Sequence, residues 1–276
     1  MIIGTNSSAL FASRQLSVNS NLLQKSLARL SSGQRIVSPE DDAAGLAISM
    51  KLDAEVRRNG AASTILTNAT TFSQTADGML QQVQNALNRL SELSVLSQDS
   101  SKSASDISNY AAEFTQLQNF ISDIGTKKFG SSTLFSSTGF SVPINDSGSL
   151  LTLNALDLNN AAVTIGLSNI FNAASSAIGN TTSAAQALSN VVTAISTLAT
   201  MRALTGANIE RLNFSNDSLS QFNTSLQAAS ASITNVDMAS EAANFAKYQL
   251  LVQAGSTMLA QANAIPNSTL QILQNI

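Results

Sequence analysis

Val191, Leu198, Thr205, Leu212, Leu219, Leu226 and Ile233 stand seven residues apart in a stretch that contains no proline. Seven residues make two helical turns, so these positions fall on one line of a helix, and the repeat predicts a long helix over roughly 183–233. Ile195 and Ile209 supply part of a second line. Arg202 and Thr205 interrupt the apolar run, either at its edge or as a polar register setter between helices. At 1.5 Å per residue such a helix is a rod about 63 Å long between its first and last heptad positions, and its stripe needs other helices to cover it.

The N-terminal half carries the same period. Leu16, Leu23, Leu27 and Leu30 predict a helix to about residue 32. A second helix is expected from about Asp41 towards Gln98, with Leu80, Val83, Leu87 and Leu90 in the 3,4,3 spacing of a coiled-coil seam. After a turn over about 99–106, Phe114, Leu117, Phe120, Ile121 and Ile124 mark a third helix ending near Lys127. From Phe129 to about Asn180 short β-prone runs alternate with Gly, Pro, Asn and Asp, which reads as a small β-hairpin region. The fold class is therefore mainly α: a long antiparallel, coiled-coil-like helical rod with paired terminal helices and a small β-hairpin region at the middle of the chain.

Between the first two helices lies LARLSSGQRIVSPEDDAAGLAI, residues 27–48. Gly33 suits the left-handed residue that ends a helix, Ser38 can cap a new one, and Pro39 suits its first position. Glu40, Asp41 and Asp42 would then sit at the positive end of the helix dipole. Arg29 and Arg35 beside these acids are either intersubunit partners or solvated charges. At the other terminus no charged side chain follows Lys247, and Leu250, Leu251, Val252, Met258, Leu259, Leu270, Ile272 and Leu273 occupy more than one side of a helix. Such a helix needs partner copies or lipid around it.

Composition narrows the chemistry. The 276 residues contain no cysteine, histidine or tryptophan, which removes disulfides, imidazole and thiolate metal sites, and nucleophiles that depend on histidine or cysteine. The expectation is no catalytic residue, no cofactor and no metal. A net charge of −3 offers no general attraction to nucleic acid. No run of eighteen apolar residues occurs, so no membrane insertion is expected, and the start lacks the basic and apolar regions of a cleaved secretory leader.

RLSSGQRIVSPEDDAAGLAI at 29–48, LNRLSELSVLSQD at 87–99 and LVQAGSTMLAQANAIPNSTLQIL at 251–273 closely resemble the conserved segments of bacterial flagellins. The resemblance implies a subunit that self-polymerises into the flagellar filament, the propeller of swimming motility, exported unfolded through the flagellar secretion channel and residing outside the cell. A hook–filament junction protein is the alternative within that class, and a membrane-active helical protein the alternative outside it.

It further implies an inner terminal-helix domain (1–40 with 237–276), a helical rod domain (41–135 with 180–236) and a short tip (129–180) in place of large outer domains. Assembly residues would include Leu23, Leu27, Leu30, Arg35, Asp41 and Asp42 near one end and Leu250, Leu251, Met258, Leu259, Leu270 and Leu273 near the other, with Gly33, Ser38 and Pro39 as the joint. The implied partners are further copies of the chain, an export chaperone, the filament cap and hook-junction proteins. Arg89 and Leu93 match a pattern recognised by a host innate immune receptor, although Phe120 stands where the family often has an acid. KKFGSSTLF at 127–135 lacks the asparagine common in the family's turn at this point.

Overall fold

The structure is a computed structural model that describes residues 6–145, 148–158 and 178–274, with side chains as far as residue 265. The described residues form five helices and two small hairpins. The helices are α1 (Ser7–Ser32), α2 (Ala43–Leu96), α3 (Ala104–Gly125), α4 (Thr181–Thr234) and α5 (Met238–Gln274). Strands β1 (Lys128–Phe129) and β2 (Ser132–Thr133) pair antiparallel, as do β3 (Ser141–Pro143) and β4 (Leu150–Thr152). Part of the expected hairpin region, 159–177, lies outside the described residues. The chain divides into two compact units, Met1–Val56 with Ser225–Ile276, and Arg57–Thr224. The division expected from motifs falls instead at the chain joints, near 40 and 237.

In the Arg57–Thr224 unit the heptads account for the packing. Along α2 the buried positions Asn59, Ala62, Leu66, Ala69, Ser73, Ala76, Leu80, Val83, Leu87 and Leu90 alternate in steps of three and four. Leu80, Val83, Leu87 and Leu90 share a core with Phe114, Ile121 and Ile124 of α3 and with Val191 and Leu198 of α4. The second line of α4 differs from the expectation. Ala187, Ala194 and Met201 are buried with Val191, Leu198 and Thr205, whereas Ile195 and Ile209 are half-buried. Ala187 and Ala194 are small side chains that suit a crowded line, so hydrophobicity alone points to the wrong residues there.

Beyond Thr205 the buried positions of α4 in this unit thin to Leu212 and Leu219, which cluster with Ala62, Leu66 and Ala69 of α2 and with Val142, Leu151 and Leu153 of the second hairpin. Val142 lies directly opposite Leu151 across that hairpin. The first hairpin turns at Gly130, whose φ of 60° is open to glycine at little cost. Helix α3 starts inside the expected turn because Ser103 accepts from the Asp106 N–H while the Asp106 carboxylate accepts from the Ser103 N–H, a reciprocal cap.

Thr205 belongs to the buried seam rather than its edge, and its hydroxyl donates to the Met201 carbonyl of its own helix at 2.9 Å. Polar contacts across to α2 include Arg202, which grips both oxygens of Asp77 at 2.9 and 3.2 Å, Asn216, whose Oδ1 accepts from the Ser63 hydroxyl at 2.6 Å, and Ser230, whose hydroxyl donates to Asp53 at 2.9 Å. Helix α4 contains an eighteen-residue window of mean hydropathy 1.2, long and apolar enough by composition to cross a membrane. Its leucine, valine and alanine seam, which raises that mean, is the line buried among the other helices.

Leu198→Ala should therefore destabilise the chain by about 2–5 kcal/mol through loss of buried surface and the cavity left behind. Val192→Ala, one residue along from the seam at an exposed position, should change stability by less than about 0.5 kcal/mol. Urea unfolding of the two variants checks the contrast.

Candidate assembly surfaces

Helix α1 stops as expected. Gly33 adopts φ 69°, and its N–H donates to the Arg29 carbonyl at 2.9 Å. The restart is different. Asp42, not Ser38, caps α2, its Oδ1 accepting from the Gly45 N–H at 2.8 Å. Ser38 and Pro39 lie in a turn closed by the Asp41 N–H and the Ser38 carbonyl at 3.0 Å. Proline's fixed φ and missing donor suit the second position of a turn as well as a helix start, so both readings satisfy the same residues.

Two joints meet here. The Arg35 N–H donates to the Thr234 carbonyl at 2.6 Å, and the Val236 N–H donates to the Gly33 carbonyl at 3.1 Å. Residue 34 forms an isolated antiparallel bridge with Asn235. Arg35 also uses its side chain within the chain, donating to the Ile233 carbonyl at 2.7 Å, where the last turn of α4 leaves acceptors free. Asp237 caps α5 by accepting from the Ala239 and Ser240 N–H groups at 3.0 and 3.2 Å. Ile36 is buried at the crossing.

Asp41 is engaged inside the chain too. Its carboxylate pairs with Lys25 at contact distance, lies 3.8 Å from Arg29, and accepts from the Val37 N–H at 3.1 Å and the Ser38 N–H at 3.4 Å. The Lys25 hydrogen bond is the main cause that holds its pKa down at about 2, with burial opposing and the two backbone donors assisting. Lys25 went unnoticed in the sequence because it sits sixteen positions from Asp41, in another element, with no local pattern joining them.

The terminal helices α1 and α5 pack antiparallel. The Asn6 side chain donates to the Ala262 carbonyl at 2.8 Å, and the Ser26 hydroxyl to the Glu241 carbonyl at 3.3 Å. Among the described residues Asn19, Ser26, Glu241 and Ala262 are the buried ones of the pair. Leu16, Leu23 and Leu30, seven apart, are half-buried, whereas Leu27 falls off that line and is 53% exposed. Phe11 and Leu250 are 72% exposed, Met258 67%, and Leu251 is also exposed, with Leu259 half-buried. Leu270 and Leu273 lie outside the described side chains.

Arg89 sits at the surface, forked onto Glu113 of α3 at 2.7 and 3.1 Å and onto Glu92 at 2.9 Å. Leu93 is fully buried at 0% exposure in the three-helix core. It extends the Leu80–Leu90 seam under α3, so it presents no surface to a receptor, which corrects the reading that grouped it with Arg89.

Paired end helices that leave rows of apolar side chains uncovered, with capped and cross-bonded turns in the same unit, and a separate heptad-packed helical unit define a structural protein that completes its packing by association. Residues 3–139 match the profile of the bacterial flagellin N-terminal helical region, and residues 188–273 that of the flagellin C-terminal helical region. A flagellin of Halalkalibacterium halodurans is 34% identical over 99% of this chain and 100% of its own length. The flagellar filament 33 kDa core protein of Treponema phagedenis is 33% identical over the same shares. The chain belongs to the bacterial flagellin family and is a structural subunit of the flagellar filament. A hook-associated protein of Vibrio parahaemolyticus shares the fold at a TM-score of 0.62 and 12% identity, covering 71% of this chain and 100% of that one.

Two outcomes test the joint. Beyond its chain neighbours nothing crowds the place a Gly33 side chain would take, so Gly33→Ala should cost about 1–2 kcal/mol through backbone strain alone, and Gly33→Asn less. Asp41 has a depressed folded pKa, so its contribution is fully present above the ordinary value of 3.8 and is lost as pH falls through about 2. Carboxyl NMR titration should place its midpoint near 2, and Lys25→Met should move it up towards the ordinary value.

Proposed function

We propose that the chain polymerises through its terminal helices, residues 1–40 and 237–276 of many copies packing together to line the inner tube of the filament. Residues 41–135 and 180–236 then form the helical layer around that tube, and 129–180 its short tip. The observation that carries this reading is the exposed apolar row on α1 and α5, with Phe11, Leu27, Leu250 and Met258 in water although each helix already has a partner. Burying such side chains is worth roughly 1.5–3 kcal/mol each, and neighbouring copies are the surface that a filament brings to them. Among the described residues no cluster of acids suits a metal ion, and nothing in this role calls for a cofactor.

The filament lies outside the cell, reached through the flagellar export channel, with an export chaperone, the filament cap and hook-junction proteins as partners on the way. Export unfolded is consistent with terminal helices that gain most of their burial only on assembly, since ordering them alone brings little compensation. Asp41 and Arg35 serve the joint inside each subunit, and the apolar rows serve the contacts between subunits.

Leu250→Glu with Met258→Glu should abolish elongation from filament seeds while leaving the circular dichroism of the unpolymerised chain unchanged. Removal of 237–276 should do the same. Sedimentation and electron microscopy provide the readout, and filaments of normal appearance from either variant would defeat the reading.

A further inference from the structure

The Arg57–Thr224 unit holds a cavity of about 550 Å³ between α2 and the two hairpins. Its aromatic wall is Phe72, which meets Phe129 edge-on at 5.9 Å between ring centres and Phe140 at 4.9 Å. Serine, threonine and asparagine side chains also line it, and among the described residues no charged one does. The cavity is therefore suited to a neutral, apolar guest of aromatic shape, offered edge-to-face partners by the rings already there.

The same unit carries such a group on a different surface. Phe214 is 71% exposed and Phe222 51% exposed, eight residues apart on one face of α4, flanking a shallow groove with Arg211 and Ile144. That groove and the aromatic cavity share no lining residue. In a chain with eleven phenylalanines and no tryptophan, two rings left in water on one helix face call for a partner.

We infer that the Phe214–Phe222 face of one copy docks at the aromatic cavity of a neighbouring copy, with the Phe214 ring inserted. The inference rests on the chain's role as a filament subunit. A helical polymer needs two different surfaces that fit each other head to tail, and an apolar knob matched to a pocket elsewhere on the same molecule generates an open helical array. Each copy supplies one knob and one pocket, with Arg211 beside the knob facing the serine, threonine and asparagine side chains of the pocket, so every knob inside a growing filament finds a pocket. The contact lies outside the terminal helices and adds a second longitudinal or lateral bond to those they make.

The chain has no cysteine, which allows a direct test on the full-length protein. Phe214→Cys chains and Thr138→Cys chains, the latter altered at the rim of the cavity, are mixed with wild-type chain, seeded into filaments and oxidised mildly. A disulfide-linked dimer is expected in the mixed filaments and not in the unpolymerised mixture. Val192→Cys, at an exposed position of α4 that lines neither pocket, replaces Phe214→Cys as the control and should give no dimer. Separately, Phe214→Ser should raise the critical concentration for elongation by about tenfold with an unchanged melting midpoint, and Phe214→Leu should raise it less. Normal filaments without a Phe214→Cys dimer above control, or with unchanged critical concentration for Phe214→Ser, overturn the docking while leaving the filament role intact. Absence of any filament from wild-type chain would defeat both.

Discussion

Two helices lying side by side can each cover only one face of the other, and the terminal unit is shaped by that limit. The line where α1 meets α5 is built from Asn19, Ser26, Glu241 and Ala262, with Leu16, Leu23 and Leu30 half-buried beside it. Small and polar residues let the helices approach and bond through Asn6 and Ser26, and the larger apolar side chains remain on the outer faces. Leu16, Leu23 and Leu30 alternate with Asn19 and Ser26 in steps of three and four, and Leu16 lies against Gly255, so leucines share the seam with small and polar residues and are only half-covered there. The half-covered seam and the bare outer rows fit burial that is deferred to assembly.

Deferred burial places a demand on the joint. Helices held only weakly by each other need their starting points fixed by something other than a core, and hydrogen bonds fix them here. Gly33 and Arg35 bond backbone to backbone with Val236 and Thr234, the Arg35 side chain reaches the last turn of α4, and Asp41 is held by Lys25 and two N–H groups. Each bond is worth little alone, but together they specify the directions in which α1 and α5 leave the crossing. The charge cluster of the joint is thus spent largely inside the subunit. Sequence could show that charges gather at 29–42; it could not show which chain segment would answer them, because the partners come from α1 and α4.

The heptad from Val191 to Leu226 was legible because its period survives whatever packs against it. Helix limits were legible to within a few residues for the same reason, reinforced by Gly33 at one end of α1. Ala187, Ala194 and Met201 were not legible as the second line, since the close approach of three helices selects for size, and size is a property of the neighbours. Ser38 and Pro39 misled because turn and helix start use the same chemistry. Leu93 misled differently: a motif match carries no information about burial, and α3 covers the residue. The paired, exposed end helices were legible as a need for partners, read from an uncharged helix apolar on several sides.

The polar contacts along α2 and α4 follow from a weakness of apolar seams. A line of leucines attracts but aligns poorly, because a shift by one heptad offers nearly the same burial. Alanine and serine at 62, 69, 73 and 76 make that line still more uniform. Arg202 on Asp77 and Asn216 on Ser63 break the uniformity, since each partner meets its match at one register only, fourteen residues apart on both helices. Asn59, fully buried at the end of the α2 line, adds a further polar position that an apolar side chain would have filled with less desolvation cost. A subunit repeated many times along a filament must present its surfaces at one spacing, and an error of one heptad, about 10 Å of helix, would be repeated at every copy. Alignment by a few polar pairs, with attraction left to the seam, meets that requirement at a modest loss of stability in the single chain.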